Sequence, residues 1–338
     1  MRQSTALLPQ TQVRLTEMAF PFNRVHIQRT RLAFIHLDNL LHFAKIDRDG
    51  QLDGFIAAYL PDQVILLLLR QGDVITSVSF TEGGRRVVPI AQALRDMREE
   101  MERSELAYCD ATMEQLAWMY ASCATPAKKR FVDEREPTKL FPALFHELFT
   151  GVLELMSNGR MSYFRFQDGK FVNGYFCGKP EAMTVPQYVE SLFQPAADGA
   201  RPQISAAVFL PASEIPEQAS PAMIETYRDL FWRITHGAEK EMPGEGTKRA
   251  YKIRDALAAV HEPLPVLGTP LDREPGQLVT TADHLTHALA EWTQKVLEQL
   301  EIMSPGIAAT VLKEATREQR FMLQKAGFFN RLPWTVRW

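Results

Sequence analysis

A short apolar run, a glycine turn and a second alternating run occur twice in this chain, at residues 66–80 (LLLLRQGDVITSVSF) and 163–176 (YFRFQDGKFVNGYF). Strand-like runs joined by a tight glycine turn make a β-hairpin. In each copy a helix-periodic stretch precedes the hairpin, and a helix, a short strand-like run and a further helix follow it. The repetition predicts an α+β fold: two tandem repeats of antiparallel sheet with flanking helices, plus a helical C-terminal region. Gly72 and Gly169 take the same place in the two hairpins, as turn residues that call for positive φ.

In the first copy, Leu37, Leu40, Leu41 and Ala44 recur at helical spacing behind Asp38. Residues 52–60, 64–70 and 74–80 then form a three-stranded meander, 81–86 a loop, 90–103 an amphipathic helix, 106–109 a strand and 111–124 a helix. In the second copy, Leu144, Phe145, Leu148, Phe149, Val152 and Leu155 predict a helix over 141–155. A hairpin (160–166 and 170–176), a helix (185–193), a strand (204–210) and a closing helix (222–235) follow it. On this reading the first copy has one strand more, at 52–60.

The domain plan is an arm (1–25), a first module (26–125), a charged linker (126–138) and a second module (139–237). A Pro- and Gly-rich connection (238–280) around a charged helix at 248–260 leads into a helical region (281–338). That region carries helices over 282–302 and 305–326, with Ser304 as N-cap, Pro305 at the first helical position and Gly327 as the terminating glycine.

The supporting residues are Gly50-Gln51-Leu52 with Arg70-Gln71-Gly72-Asp73-Val74-Ile75, and Gly159-Arg160-Met161 with Phe166-Gln167-Asp168-Gly169-Lys170-Phe171-Val172. With the helices around them, they resemble the PATAN family, named for the N-terminal region of a cyanobacterial pattern-formation regulator. The resemblance implies a small α+β module of bacterial signalling proteins that mediates protein contacts and is often fused to phospho-acceptor receiver domains. No receiver-like alternation of parallel strands and helices is visible here. At fold level the module is also similar to Roadblock and longin-like sheets, which sit against small GTPases. The implied role is a cytoplasmic, non-enzymatic signalling adaptor whose protein partner is a small GTPase or a signalling or motility component.

Composition is that of a globular protein. With 46% apolar and 23% charged residues, the 338-residue chain has enough apolar surface for real cores. A net charge of −3 gives no general attraction to nucleic acid or anionic lipid. No window of about 18 apolar residues predicts a membrane span, and no export signal is visible. Three widely spaced cysteines, Cys109, Cys123 and Cys177, fit buried reduced thiols rather than a disulfide framework or zinc site.

No phosphate-binding GxxxxGK[ST], dinucleotide GxGxxG or nucleophile GxSxG occurs, so no catalytic residue or cofactor is assigned. Gly83, Gly84, Arg85 and Arg86 are a candidate anion-binding loop, in which glycine amides and paired arginines would hold a phosphate, although a plain strand-to-strand turn with solvated charges is the favoured reading. They carry the alternative reading, a small-molecule or nucleotide sensor. A hydrolase with dispersed catalytic residues is the third. Residues 47–53 imitate a calcium loop but place Lys45 and Ile56 where carboxylates belong, and read as a solvated turn. His284, His287 and Glu291, with Asp283, share one helix face without the HExxH spacing and read as a polar face. Phe328, Phe329, Trp334 and Trp338 lie outside both copies and are candidate partner-binding residues.

Overall fold

The computed structural model describes residues 15–46, 52–124, 130–132, 137–195, 199, 201–273, 276 and 278–335. The chain divides between Pro216 and Glu217 into two compact units. In the first unit, the first module runs β1 (Arg24–Arg31), α1 (Leu37–Ile46), β2 (Gly54–Tyr59), β3 (Gln63–Arg70), β4 (Asp73–Thr81), β5 (Gly84–Val88), α2 (Ile90–Glu99), β6 (Glu105–Asp110) and α3 (Met113–Ala124). The second runs β7 (Arg130–Val132), α4 (Pro137–His146), β8 (Gly151–Ser157), β9 (Arg160–Gln167), β10 (Lys170–Tyr175), α5 (Val185–Leu192) and β11 (Ile204–Phe209).

Each module builds one antiparallel sheet, in the order β1-β6-β2-β3-β4-β5 and, read the same way, β7-β11-β8-β9-β10. The connectivities match strand for strand. Among the described residues, β5 alone has no counterpart in the second sheet.

The likeness extends to single atoms. Gly72 and Gly169 have φ of +79° and +74°, each after another positive-φ residue, Gln71 or Asp168, which makes both hairpins type I′ turns. The Asp53 side chain accepts the Gln71 N–H at 2.9 Å, and the Thr150 hydroxyl accepts the Asp168 N–H at 2.9 Å. Gly54 and Gly151 open the equivalent strands β2 and β8. A Cβ on either would lie 2.3 Å from the Cys109 carbonyl oxygen or 2.8 Å from that of Phe209, so the neighbouring strand excludes a side chain there. Both hairpins also carry a bulge one turn-length beyond the glycine, with Ile75 and Val172 as the extra residues.

Alternation sorts each sheet into two faces. Ile56, Ala58, Ile65 and Leu67 pack with Leu37, Ala93 and Met97 of α1 and α2. Leu153, Leu155, Phe164 and Phe166 pack with Leu140, Leu144, Tyr188 and Val189 of α4 and α5. The opposite faces share one core, in which Phe55, Leu66, Leu68 and Phe80 meet Val152, Met156 and Tyr163 around the buried helix α3.

Several expectations change. The helix expected over 141–155 ends at His146; Leu148 turns left-handed, at φ +49°, and β8 begins at Gly151. All seven β8 residues are buried, so apolar side chains occupy both faces and mimic a helical period. The meander strand at 52–60 is therefore no addition peculiar to the first copy. The loop at 81–86 runs into strand β5, and the linker at 126–138 contains β7 and the start of α4. The helix expected to close the second module belongs instead to the second unit, where its apolar face finds other helices.

That unit comprises α6 (Pro221–Glu241), α7 (Gly246–Leu257), α8 (Pro263–Leu267), α9 (Ala282–Met303), α10 (Ile307–Thr316) and α11 (Arg320–Lys325). Tyr227, Phe231 and Ile234 pack among Leu289, Trp292 and Leu312, with the Phe231 and Trp292 rings stacked at 4.1 Å. Ser220 and Thr281 cap α6 and α9. The helix expected over 305–326 is broken into two. Gly306, at φ +86°, replaces Ser304 as the N-cap of α10, and Glu301 accepts the Gly306 and Ala308 N–H groups. Gly327, at φ +72°, terminates α11 as expected. No described helix is long and apolar enough to cross a membrane.

Candidate functional site

The aromatic end of the chain is the first place to look for a docking surface. Phe328 is fully buried, with its ring 6.4 Å from that of Tyr227 and 5.6 Å from that of Phe329. Phe329 and Trp334 are half-buried against the same helical core, and Trp338 lies outside the described residues. Phe328 is thus committed to its own unit, which moves attention to the sheets.

The segment Gly83–Arg86 forms the β4–β5 turn and the start of β5. Neighbours on a strand point to opposite faces, so Arg85 and Arg86 cannot converge on one anion. Arg86 is exposed, whereas Arg85 turns into the shared core and is 2% exposed. Its Nη1 donates to both carboxylate oxygens of Glu154 on β8, at 2.7 and 2.8 Å. The candidate two-arginine clamp gives way to a strand-to-strand turn with Arg85 in a buried ion pair. A cavity of about 260 Å³ on the inner face of the first sheet is lined by Phe20, Phe55, Ala57 and Tyr59, with Arg29 3.8 Å above the Tyr59 ring. It is smaller than the usual ligand pocket of roughly 300–1,000 Å³.

Sheet edges differ in how they are defended. On β1, Arg24, His26, Arg29 and Arg31 are exposed, and charge of this kind discourages strand pairing. β5 and β7 are short. β10 is different: Phe171 and Val172 are 41% and 55% exposed on an edge strand. Its far end is tied down, because Tyr175 Oη donates to Glu114 and accepts from Thr112, both at 2.8 Å. Its near end meets the end of α4, where the backbone of Phe145 leaves room only for glycine at 169. Phe145 and Leu148 there are 50% and 64% exposed, extending the apolar surface around the hairpin.

Leu148 is unusual. It occupies the left-handed position of a Schellman helix end, with Phe149 N–H donating to Leu144 O and Leu148 N–H to Phe145 O. Glycine is the ordinary residue at that position. A leucine held there faces solvent, at a cost in backbone strain that glycine would avoid.

In the second unit, the helix face of His284, His287 and Glu291 gains a residue that spacing did not reveal. His261, in the connection after α7, is 3% exposed and places Nε2 2.7 Å from Glu291 Oε2 and Nδ1 3.4 Å from His284 Nε2. Thr280 Oγ1 lies 3.3 Å from His284 Nδ1. Asp283 does not join them and pairs with Arg331. The hydrogen bond with His261 holds the Glu291 carboxyl below the usual carboxylate range. Burial, then the neighbouring His261 and His287, hold His284 below the usual imidazole value.

Other sequence candidates have structural places. Gly72 and Gly169 form the matched turns described above. Residues 47–51 of the calcium-like segment lie outside the described residues, and Asp53 spends an oxygen on the hairpin turn. All three cysteines are buried thiols outside any disulfide. Neither the family models, nor the curated proteins, nor the solved structures contain a match to this chain.

Proposed function

We propose that this chain is a non-enzymatic signalling adaptor, of the PATAN-like bacterial and cytoplasmic kind, that holds an extended segment of a protein partner against β10. The observation that supports it most is the apolar free edge at Phe171 and Val172, extended by Phe145 and Leu148. The first module offers an internal precedent, since its corresponding strand β4 accepts β5 as an antiparallel neighbour. Backbone pairing along an edge gives affinity, and pockets for alternate side chains give specificity. A small GTPase or a signalling or motility component is the class of partner this role requires.

The test places a photo-crosslinking side chain at Phe171 in the full chain, and at exposed Phe321 as a control. One partner peptide should be trapped from Phe171 and not from Phe321, and the amides of Lys170–Asn173 should exchange more slowly in the complex. Val172→Lys should abolish trapping without lowering the thermal midpoint. Equal trapping from both positions, or full trapping in Val172→Lys, rejects strand addition at β10.

A further inference from the structure

We infer that His261, His287 and Glu291 form a binding site for a first-row divalent metal ion, with Zn²⁺ the best match. One candidate ligand atom from each of the three residues lies within 4.8 Å of the others. Two imidazoles and one carboxylate are a known donor set for zinc with a fourth position left to water, whereas magnesium or calcium would call for more oxygens.

The fold delivers these groups from two directions. His287 and Glu291 stand four residues apart on α9 and so share a face. His261 arrives from the connection between α7 and α8, held by its N–H to the Leu257 carbonyl at 2.8 Å. The support beneath is firm: the Trp292 indole N–H, next to Glu291, donates to the Ala250 carbonyl of α7 at 3.0 Å. Metal sites depend on such anchored neighbours.

A chain of polar groups can support the tautomer the metal needs once the ion takes the place of a proton on His261 Nε2. His284 stands between Thr280 Oγ1, 3.3 Å from its Nδ1, and His261 Nδ1, 3.4 Å from its Nε2, so it can donate to the one and accept from the other. His261 Nε2 then presents its lone pair to the ion. Without metal, His261 Nε2 lies 2.7 Å from Glu291 Oε2, a hydrogen bond that an ion would displace. Ligation at ordinary Zn–N and Zn–O distances opens the gap to about 3.3 Å, a movement within reach of one side-chain rotation. Glu291 Oε1 faces Lys295 Nζ at 3.6 Å, which leaves Oε2 for the ion. His287 is exposed, so ions can enter from solvent.

The experiment uses the full chain, free of any affinity tag and stripped with chelator, titrated with Zn²⁺ by calorimetry and with Co²⁺ by visible absorption. One equivalent should bind, and Co²⁺ should give the intense visible bands of a low-coordinate nitrogen and oxygen site. His284→Ala, which removes the supporting imidazole, should weaken binding about tenfold. His287→Ala should weaken it further while leaving metal-free thermal unfolding unchanged, since that side chain is exposed; Glu291→Gln should weaken it too, at some cost in stability because it also alters the bond with buried His261. Absence of saturable binding at micromolar Zn²⁺, or affinity unaltered in His287→Ala, overturns the site and leaves only a hydrogen-bonded histidine cluster.

Discussion

Arg85 and Glu154 join the two modules through their common core, one guanidinium nitrogen being shared by both carboxylate oxygens. Both side chains are almost wholly shielded from water, at 2% and 3% exposure. Removing one partner of such a pair typically costs about 3–5 kcal/mol, whereas replacing both with apolar residues is often neutral or stabilising. Arg85→Met is therefore expected to lower stability by about that amount in urea denaturation. Adding Glu154→Leu should recover most of the loss, because two Arg85 nitrogens, Nε and Nη2, have no hydrogen-bond partner to forfeit. An additive double variant would refute the pairing.

The duplicated hairpins make a second prediction. Gly169 has φ +74° and would bring a Cβ to 2.7 Å from the Phe145 carbonyl oxygen, whereas Gly178 has φ +69° with open space around it. Gly178→Ala should cost only the left-handed backbone strain, about 1–2 kcal/mol. Gly169→Ala should cost distinctly more, and Gly72→Val and Gly169→Val should each unfold at lower temperature. Matching losses at 169 and 178 would mean that the approach of α4 to the turn is unimportant.

Leu148 should separate stability from binding. Leu148→Gly relieves left-handed strain and is expected to stabilise the chain by about 1 kcal/mol, seen as a raised thermal midpoint. The same change removes an exposed apolar side chain and should reduce partner trapping from position 171. A variant that is both less stable and equally competent in trapping contradicts the assignment.

Alkaline pH should weaken the fold. Burial pushes the thiols of Cys109 and Cys177 from 9.0 up to about 12 and about 11, and the Tyr59 hydroxyl from 10.0 up to about 12. Folded values above the unfolded ones mean that the unfolded chain loses its protons first. Stability from these groups is complete below about pH 9 and falls as pH rises toward the folded values of about 11 to 12. Denaturation midpoints measured from pH 7 to 11 should stay level and then drop. Native thiols should also resist a disulfide reagent at pH 8 and react only after unfolding.

How much of this was legible in the sequence depended on how local the signal was. The turns at Gly72 and Gly169 announce themselves because alternation and a glycine lie within a few residues. β8 was hidden, since a strand buried on both faces carries apolar residues such as Val152, Leu153, Leu155 and Met156 on either side, a spacing that mimics a helical period. β5 was hidden by its two arginines, which look solvated until Glu154, far along the chain, is brought opposite Arg85. His284, His287 and Glu291 share a face by helical spacing alone. His261 joins them only through the packing of α7 on α9, for which spacing carries no signal. The membership of α6 in the helical unit was equally invisible, because an amphipathic face does not name its neighbour.

The extra strand in the first copy has a consequence for stoichiometry. Duplication alone would have produced two equivalent rims, each able to recruit another chain. With β5 seated on one of them, and arginines guarding β1, the proposed strand addition would take a single guest at β10, one capping event rather than a repeating one.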